Sequence, residues 1–213
     1  MIILWTDALI YILIAIVTLL FFSLRGKQHF VRPWKKISHN RTAMVALVFL
    51  VFFLVIGLLD SIHFRPTNSQ NNDIISVLDY WVNPIRLKQE KSYSAPFSAN
   101  LYSKELIMNS GQAPYWGYPR LEYGGRHLSD VQAQKAGDIL AKATLGFLKG
   151  IAVIFILFYA YHLLWQRTFF SNKAVNTIFA TLFFLVSSSY MLLELTTYYH
   201  VMGTDKVGED VFY

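Results

Sequence analysis

MVALVFLVFFLVIGLL, residues 44–59, contains no polar side chain. An amphipathic helix of a soluble protein carries a polar stripe on its outer face. This run has none, so its solvent is lipid. It forms the heart of an apolar block from Thr42 to Leu59, and three further blocks run Ile2–Leu24, Phe147–Trp165 and Ala174–Leu195. A bilayer core about 30 Å thick needs roughly 17–25 helical residues to cross, and each block meets that length. The expected fold is an all-α membrane protein with four transmembrane helices, at 1–24, 42–59, 147–165 and 174–195.

Composition agrees. Of 213 residues, 54% are apolar and only 15% charged, and mean hydropathy is +0.37. Soluble chains average about 25% charged residues, so this one lacks the polar surface to coat itself. Without cysteine there is no disulfide, thiolate zinc site or iron–sulfur cluster. The first block lacks a basic residue before it and a small-residue cleavage site after it. It is therefore expected to remain as an anchor rather than leave as a signal peptide.

The net charge of +6 matters less than its placement. The link 25–41 holds Arg25, Lys27, Arg32, Lys35, Lys36 and Arg41 with no acid, and the link 166–173 holds Arg167 and Lys173, again with no acid. The segment 60–144 is nearly balanced, nine Lys and Arg against eight Asp and Glu. The excess of Lys and Arg in short loops marks the cytoplasmic side. Both links are then cytoplasmic, and the 85-residue segment 60–144 is an outer, periplasmic, partly helical region, as are the N-terminus and residues 196–213. The basic residues serve topology and phospholipid contact, not nucleic acid.

Within 60–144, the spacing of Ile74, Ile75, Val77, Leu78, Trp81, Val82 and Ile85 predicts a helix capped by Asp73 and interrupted at Asn83-Pro84. A second short helix is expected over Leu101–Met108. Ser129 with Gln132 reads as a capping box, starting a helix that continues into the third span. The aromatic, turn-rich stretch 111–128 reads as a membrane-surface belt or small core, or else as a docking face for a soluble partner.

No P-loop, His-Glu-x-x-His, Gly-x-Ser-x-Gly or dinucleotide fingerprint occurs. His162 and Glu194 are expected at opposite membrane faces, where they cannot share a metal. His63, His127 and His200 face outward at spacings that match no zinc template. Asn40-Arg41-Thr42 is a glycosylation sequon on the cytoplasmic side, hence inert. No catalytic, cofactor-binding or metal-binding set is expected, and the chain is not read as an enzyme.

The most specific stretch is the last, HVMGTDKVGEDV, residues 200–211. Gly203, Thr204, Asp205, Gly208 and Asp210 predict a compact turn whose side chains bond local backbone amides. The segment resembles the Gly-Thr-Asp-x-x-Gly-x-Asp-Val signature of C-type permease subunits of bacterial dipeptide/oligopeptide/nickel ABC importers. Residues 34–47, WKKISHNRTAMVAL, are similar to that family's basic N-terminal segment and first span.

The resemblance implies a bacterial inner-membrane, multi-pass permease. Its partners would be a second permease subunit, ATP-binding subunits and a periplasmic solute-binding protein, with the turn positioning the helix that opens the transport core. No Glu-Ala-Ala docking loop occurs, and Tyr213 lies three residues after Asp210. The implied entity is the N-terminal portion of a permease, fragment or truncated product, not expected to transport alone, with a loosely held tail beyond Gly203. The alternative is a small structural or assembly membrane protein whose periplasmic segment binds a partner.

Overall fold

The computed structural model describes residues 4–66, 74–108, 113–164 and 172–212. In chain order the elements are α1 (Trp5–Leu24), α2 (Gln28–His39), α3 (Arg41–Asp60), β1 (His63–Phe64), β2 (Ile75–Ser76), α4 (Val77–Trp81), α5 (Asn83–Arg86), β3 (Glu105–Ile107), β4 (Tyr115–Gly117), α6 (Val131–Leu164) and α7 (Asn172–Tyr198). Among the described residues, four helices, Trp5–Leu24, Arg41–Asp60, Val131–Leu163 and Lys173–Tyr198, are long and apolar enough to cross a membrane. By length and composition they mark a multi-pass membrane protein. The end of the third expected span at Trp165, and link residues 166–171, lie outside the described residues.

The chain forms two compact units, Met1–Trp81 with Leu157–Leu182, and Val82–Ile156 with Phe183–Tyr213. In the first, α3 starts where the Asn40 side chain accepts the amide N–H groups of Thr42 and Ala43, at 3.0 and 3.4 Å. The sequon asparagine is thus a helix cap. The link 25–41, expected as a loop, contains the amphipathic helix α2.

Asp7, the one acid in the first apolar block, is buried. Its carboxylate accepts the Ser61 hydroxyl at 3.3 Å and meets His63 Nδ1 at 2.9 Å. The Tyr11 hydroxyl donates to the Ser61 carbonyl at 2.9 Å, so two polar contacts join α1 to the end of α3. On α6 and α7, Phe158 and Phe179 meet edge to face at 5.0 Å between centroids.

The expected helix over 74–85 is a composite. Asp73 lies outside the described residues. Ile75–Ser76 pairs antiparallel with His63–Phe64, and the helix begins only at Val77. Ser76 is the cap: its hydroxyl accepts the Asp79 N–H at 2.9 Å, while the Asp79 carboxylate accepts the Ser76 N–H at 3.0 Å. Pro84 then sits in the first turn of α5, where its missing N–H costs nothing.

In the second unit, Leu101–Met108 is not helical. Glu105–Ile107 pairs antiparallel with Tyr115–Gly117, Leu106 facing Trp116. The described residues of segment 60–144 thus mix short helices with two antiparallel strand pairs. Asp130, not Ser129, caps α6, its carboxylate accepting the N–H groups of Gln132 and Ala133 at 3.0 and 3.2 Å. The 34 residues of α6 span about 50 Å at about 1.5 Å each, more than a bilayer core needs.

Small residues govern how α6 meets α7. A Cβ added at Gly146 would lie 2.7 Å from the Tyr190 carbonyl, and one at Gly150 would lie 3.1 Å from the Ser187 amide nitrogen. These glycines, four apart, let two backbones approach as small-xxx-small pairs do in membranes. Lys149 and Glu194 pair across the same two helices at 2.6 Å.

Candidate functional site

After α7 the chain turns sharply and remains packed. Tyr199 and His200 are 1% and 0% exposed. Gly203 and Gly208 have φ of 82° and 85°, a left-handed conformation that a Cβ disfavours. Between them, Asp205 Oδ1 accepts the N–H groups of Val207 and Glu209, both at 2.9 Å. The Gly208 N–H closes the turn on the Asp205 carbonyl at 3.1 Å. The carboxylate thus supplies acceptors to amides that a tight turn leaves without backbone partners.

This turn lies along residues 88–94 of the same unit. The Glu90 N–H donates to the Gly208 carbonyl at 2.8 Å, and the Thr204 N–H to the Ser94 carbonyl at 3.3 Å. The Thr204 hydroxyl donates to the Ser92 carbonyl at 2.7 Å. A Cβ at Gly208 would run into the Glu90 backbone. The expected loose tail beyond Gly203 is therefore corrected: neighbouring backbone holds the turn on both sides.

Beneath the turn lies a buried charge cluster. His200 Nδ1 meets Asp210 Oδ2 at 2.8 Å, with both side chains 0% exposed, and Nε2 meets Glu90 Oε1 at 3.4 Å. Glu90 also accepts the N–H groups of Tyr123 and Glu122, at 2.7 and 3.1 Å. Buried Lys88 donates to the Thr196 carbonyl and lies 5.9 Å from the centre of the Tyr123 ring.

Burial pushes the His200 imidazole toward its neutral form, yet hydrogen bonds and charge from Asp210 and Glu90 outweigh it and raise its pKa. Burial likewise opposes the Glu90 carboxylate, but the bonds from His200 and the two amides hold its pKa below the usual value. For Lys88 burial dominates, lowering its pKa to about 8 against the opposing pull of Asp210. Two cations against two anions make burial tolerable. A charged His200 donates from both nitrogens, one to each carboxylate.

The cluster clamps the turn to residues 88–94, and His200 is sealed from solvent with both nitrogens engaged. An adjoining hollow of about 310 Å³ is lined by Gln89, Glu90, Lys91, Arg120 and Glu122 among others. Arg120 there is committed to the carbonyls of Gly125 and Leu128, and Lys91 to Glu105.

The five motif residues Gly203, Thr204, Asp205, Gly208 and Asp210 come together in one turn. The three histidines of expected outward position do not converge. His63 pairs with Asp7, His127 with Asp138 and His200 with Glu90 and Asp210. Tyr199 joins the second pair, its hydroxyl donating to Asp138 at 2.6 Å. Burial and that carboxylate push the Tyr199 pKa up. Among the described residues no group of three or more His, Cys, Asp or Glu is arranged to hold a metal ion. Glu194 pairs with Lys149, and His162 stands exposed on α6. Lys88 and Glu90 carried no sequence signal, because their partners lie 108 and 110 residues away.

No protein-family model, no curated protein and no solved structure matches this chain.

Proposed function

We propose that the chain is the N-terminal part of the permease subunit of an ATP-driven, peptide-type importer in a bacterial inner membrane. It would work with a second permease subunit, ATP-binding subunits and a periplasmic solute-binding protein. The observation that carries the reading is the turn Gly203–Asp210, whose Gly-Thr-Asp-x-x-Gly-x-Asp spacing coincides with a built structure rather than an arbitrary tail. Two left-handed glycines, an amide-capping Asp205 and an inward Asp210 each use the residue type the spacing supplies. In this reading the clamp fixes the exit of α7 and aims the chain into the helix that opens the family's transport core.

Disrupting the coding sequence and measuring uptake of a labelled dipeptide and a labelled oligopeptide tests it. Uptake should fall to background and return on complementation, and ATP-binding subunits should co-purify with the tagged, complete gene product. Unchanged uptake with no co-purifying ATPase would remove the reading.

A second reading is a membrane protein whose 60–144 segment holds a soluble partner. It is favoured by the exposure of Tyr102, Met108, Trp116 and Tyr118 in that segment. Partner capture that persists with peptide uptake unaffected would select it.

A further inference from the structure

Helix α2 is amphipathic in a way that its position explains. At 100° per residue, Val31, Trp34 and Ile37 fall on one side, and Gln28, Arg32, Lys35, Lys36 and His39 on the other. Val31 and Trp34 are 37% and 50% exposed. Residues 25–41 carry six basic side chains and no acid. Among the described residues, none of these six forms an ion pair within the chain.

Both ends of α2 are tied to helices fit to cross a membrane. Three residues, Arg25 to Lys27, link it to α1, and Asn40 alone separates it from α3. Three extended residues reach about 10 Å, so α2 has no freedom to leave the bilayer surface. A tethered helix with one apolar face, a tryptophan on that face and uncompensated positive charge matches the chemistry of an anionic lipid–water boundary.

We infer that α2 lies in the plane of the membrane surface, with Val31, Trp34 and Ile37 in the headgroup boundary and Arg32, Lys35 and Lys36 binding anionic phospholipid. The long basic side chains reach the phosphates around the helix while their stems cover apolar surface. The inference needs only the two spanning helices that bracket α2 and stands whether or not the chain belongs to an importer.

The absence of cysteine makes the test direct. Single cysteines replace Val31, Trp34, Arg32 or Lys36 in the full chain, carry a nitroxide, and are placed in nanodiscs of phosphatidylcholine with or without phosphatidylglycerol. Labels at 31 and 34 should collide preferentially with oxygen, and those at 32 and 36 with a water-soluble nickel chelate. In the unlabelled chain, spin-labelled phosphatidylglycerol should associate more strongly than phosphatidylcholine. The triple variant R32Q/K35Q/K36Q should reduce that preference by at least roughly fivefold, the effect of one basic residue near an anionic surface. Chelate access on both faces, or labels at 31 and 34 shielded from both reagents as under a protein partner, would overturn the proposal. So would a lipid preference the triple variant leaves unchanged.

Discussion

The imidazole of His200 and the carboxylate of Asp210, ten residues apart in sequence, meet at 2.8 Å with neither side chain exposed. The residues between them form the turn, so this contact closes its base. Glu90 completes the clamp from a distant stretch of chain. Removing one partner of a buried ion pair leaves an uncompensated charge, which typically costs about 3–5 kcal/mol. His200→Ala and Asp210→Asn should each loosen 88–94 and 200–212 by an amount of that order. Hydrogen exchange at the Glu90 and Thr204 amides in detergent reads this, and parental protection in both variants would show that the clamp contributes nothing.

The same cluster gives a pH dependence whose sign is determined. The His200 pKa is raised above 6.5, so its contribution is complete below that value and is lost as pH rises through the folded pKa. Glu90 lies below 4.5, so its contribution is complete above that value and is lost as pH falls through the folded pKa. Both act fully between about 4.5 and 6.5. Lys88 acts oppositely: between about 8 and 10.5 the unfolded chain holds a proton that the folded chain releases, so stability from this group rises there. Below about pH 8, where Lys88 does not yet contribute, thermal midpoints should be highest between about 4.5 and 6.5, and His200→Gln should flatten the fall above pH 6.5. An unchanged profile in that variant would reject the assignment.

Gly208→Ala should destabilise the turn more than Asp205→Ala does. The alanine side chain at position 208 meets both a left-handed φ of 85° and the Glu90 backbone, and strained backbone alone costs about 1–3 kcal/mol. Asp205→Ala removes two side-chain acceptors but leaves the path of the chain open. On the importer reading proposed above, both should also lower peptide uptake at equal expression, with substrate capture by a solute-binding protein unchanged. Normal uptake in both would remove the role that reading gives the turn.

Asp7→Ala should weaken the hold of α1 on the end of α3. It leaves the Ser61 hydroxyl and His63 ring without their shared acceptor, and an unsatisfied buried partner costs about 1–3 kcal/mol. The β1–β2 pair beside them should exchange amide protons faster. Equal exchange in variant and parent would assign the carboxylate no structural role.

The orientation is open to labelling because the chain is free of cysteine. With Ser38→Cys and Ala95→Cys introduced separately, only the cysteine at 95 should react with an impermeant maleimide in intact cells. Reaction at 38 alone would invert the topology.

Sequence by itself determined the four apolar helices, because lipid solvent demands uninterrupted apolar runs that any window exposes. Within 203–210 the Asp205 bonds close inside four residues, a span local sequence can set, but the tail was read as loose because residues 88–94, which hold it, are distant in sequence. Local pattern was ambiguous elsewhere. Leu101–Met108 is short enough for its apolar residues to fit helix or strand, and pairing with Tyr115–Gly117 decided for strand. At α6, Ser129 and Asp130 are both competent caps, and geometry selected Asp130. The basic link read as a loop because charge masked the face shared by Val31, Trp34 and Ile37. Only the tertiary structure put Lys88 and Glu90 beside His200 and Asp210. Whether a charge is buried, and what neutralises it there, depends on distances in space, and no sequence spacing encodes a contact across 110 residues.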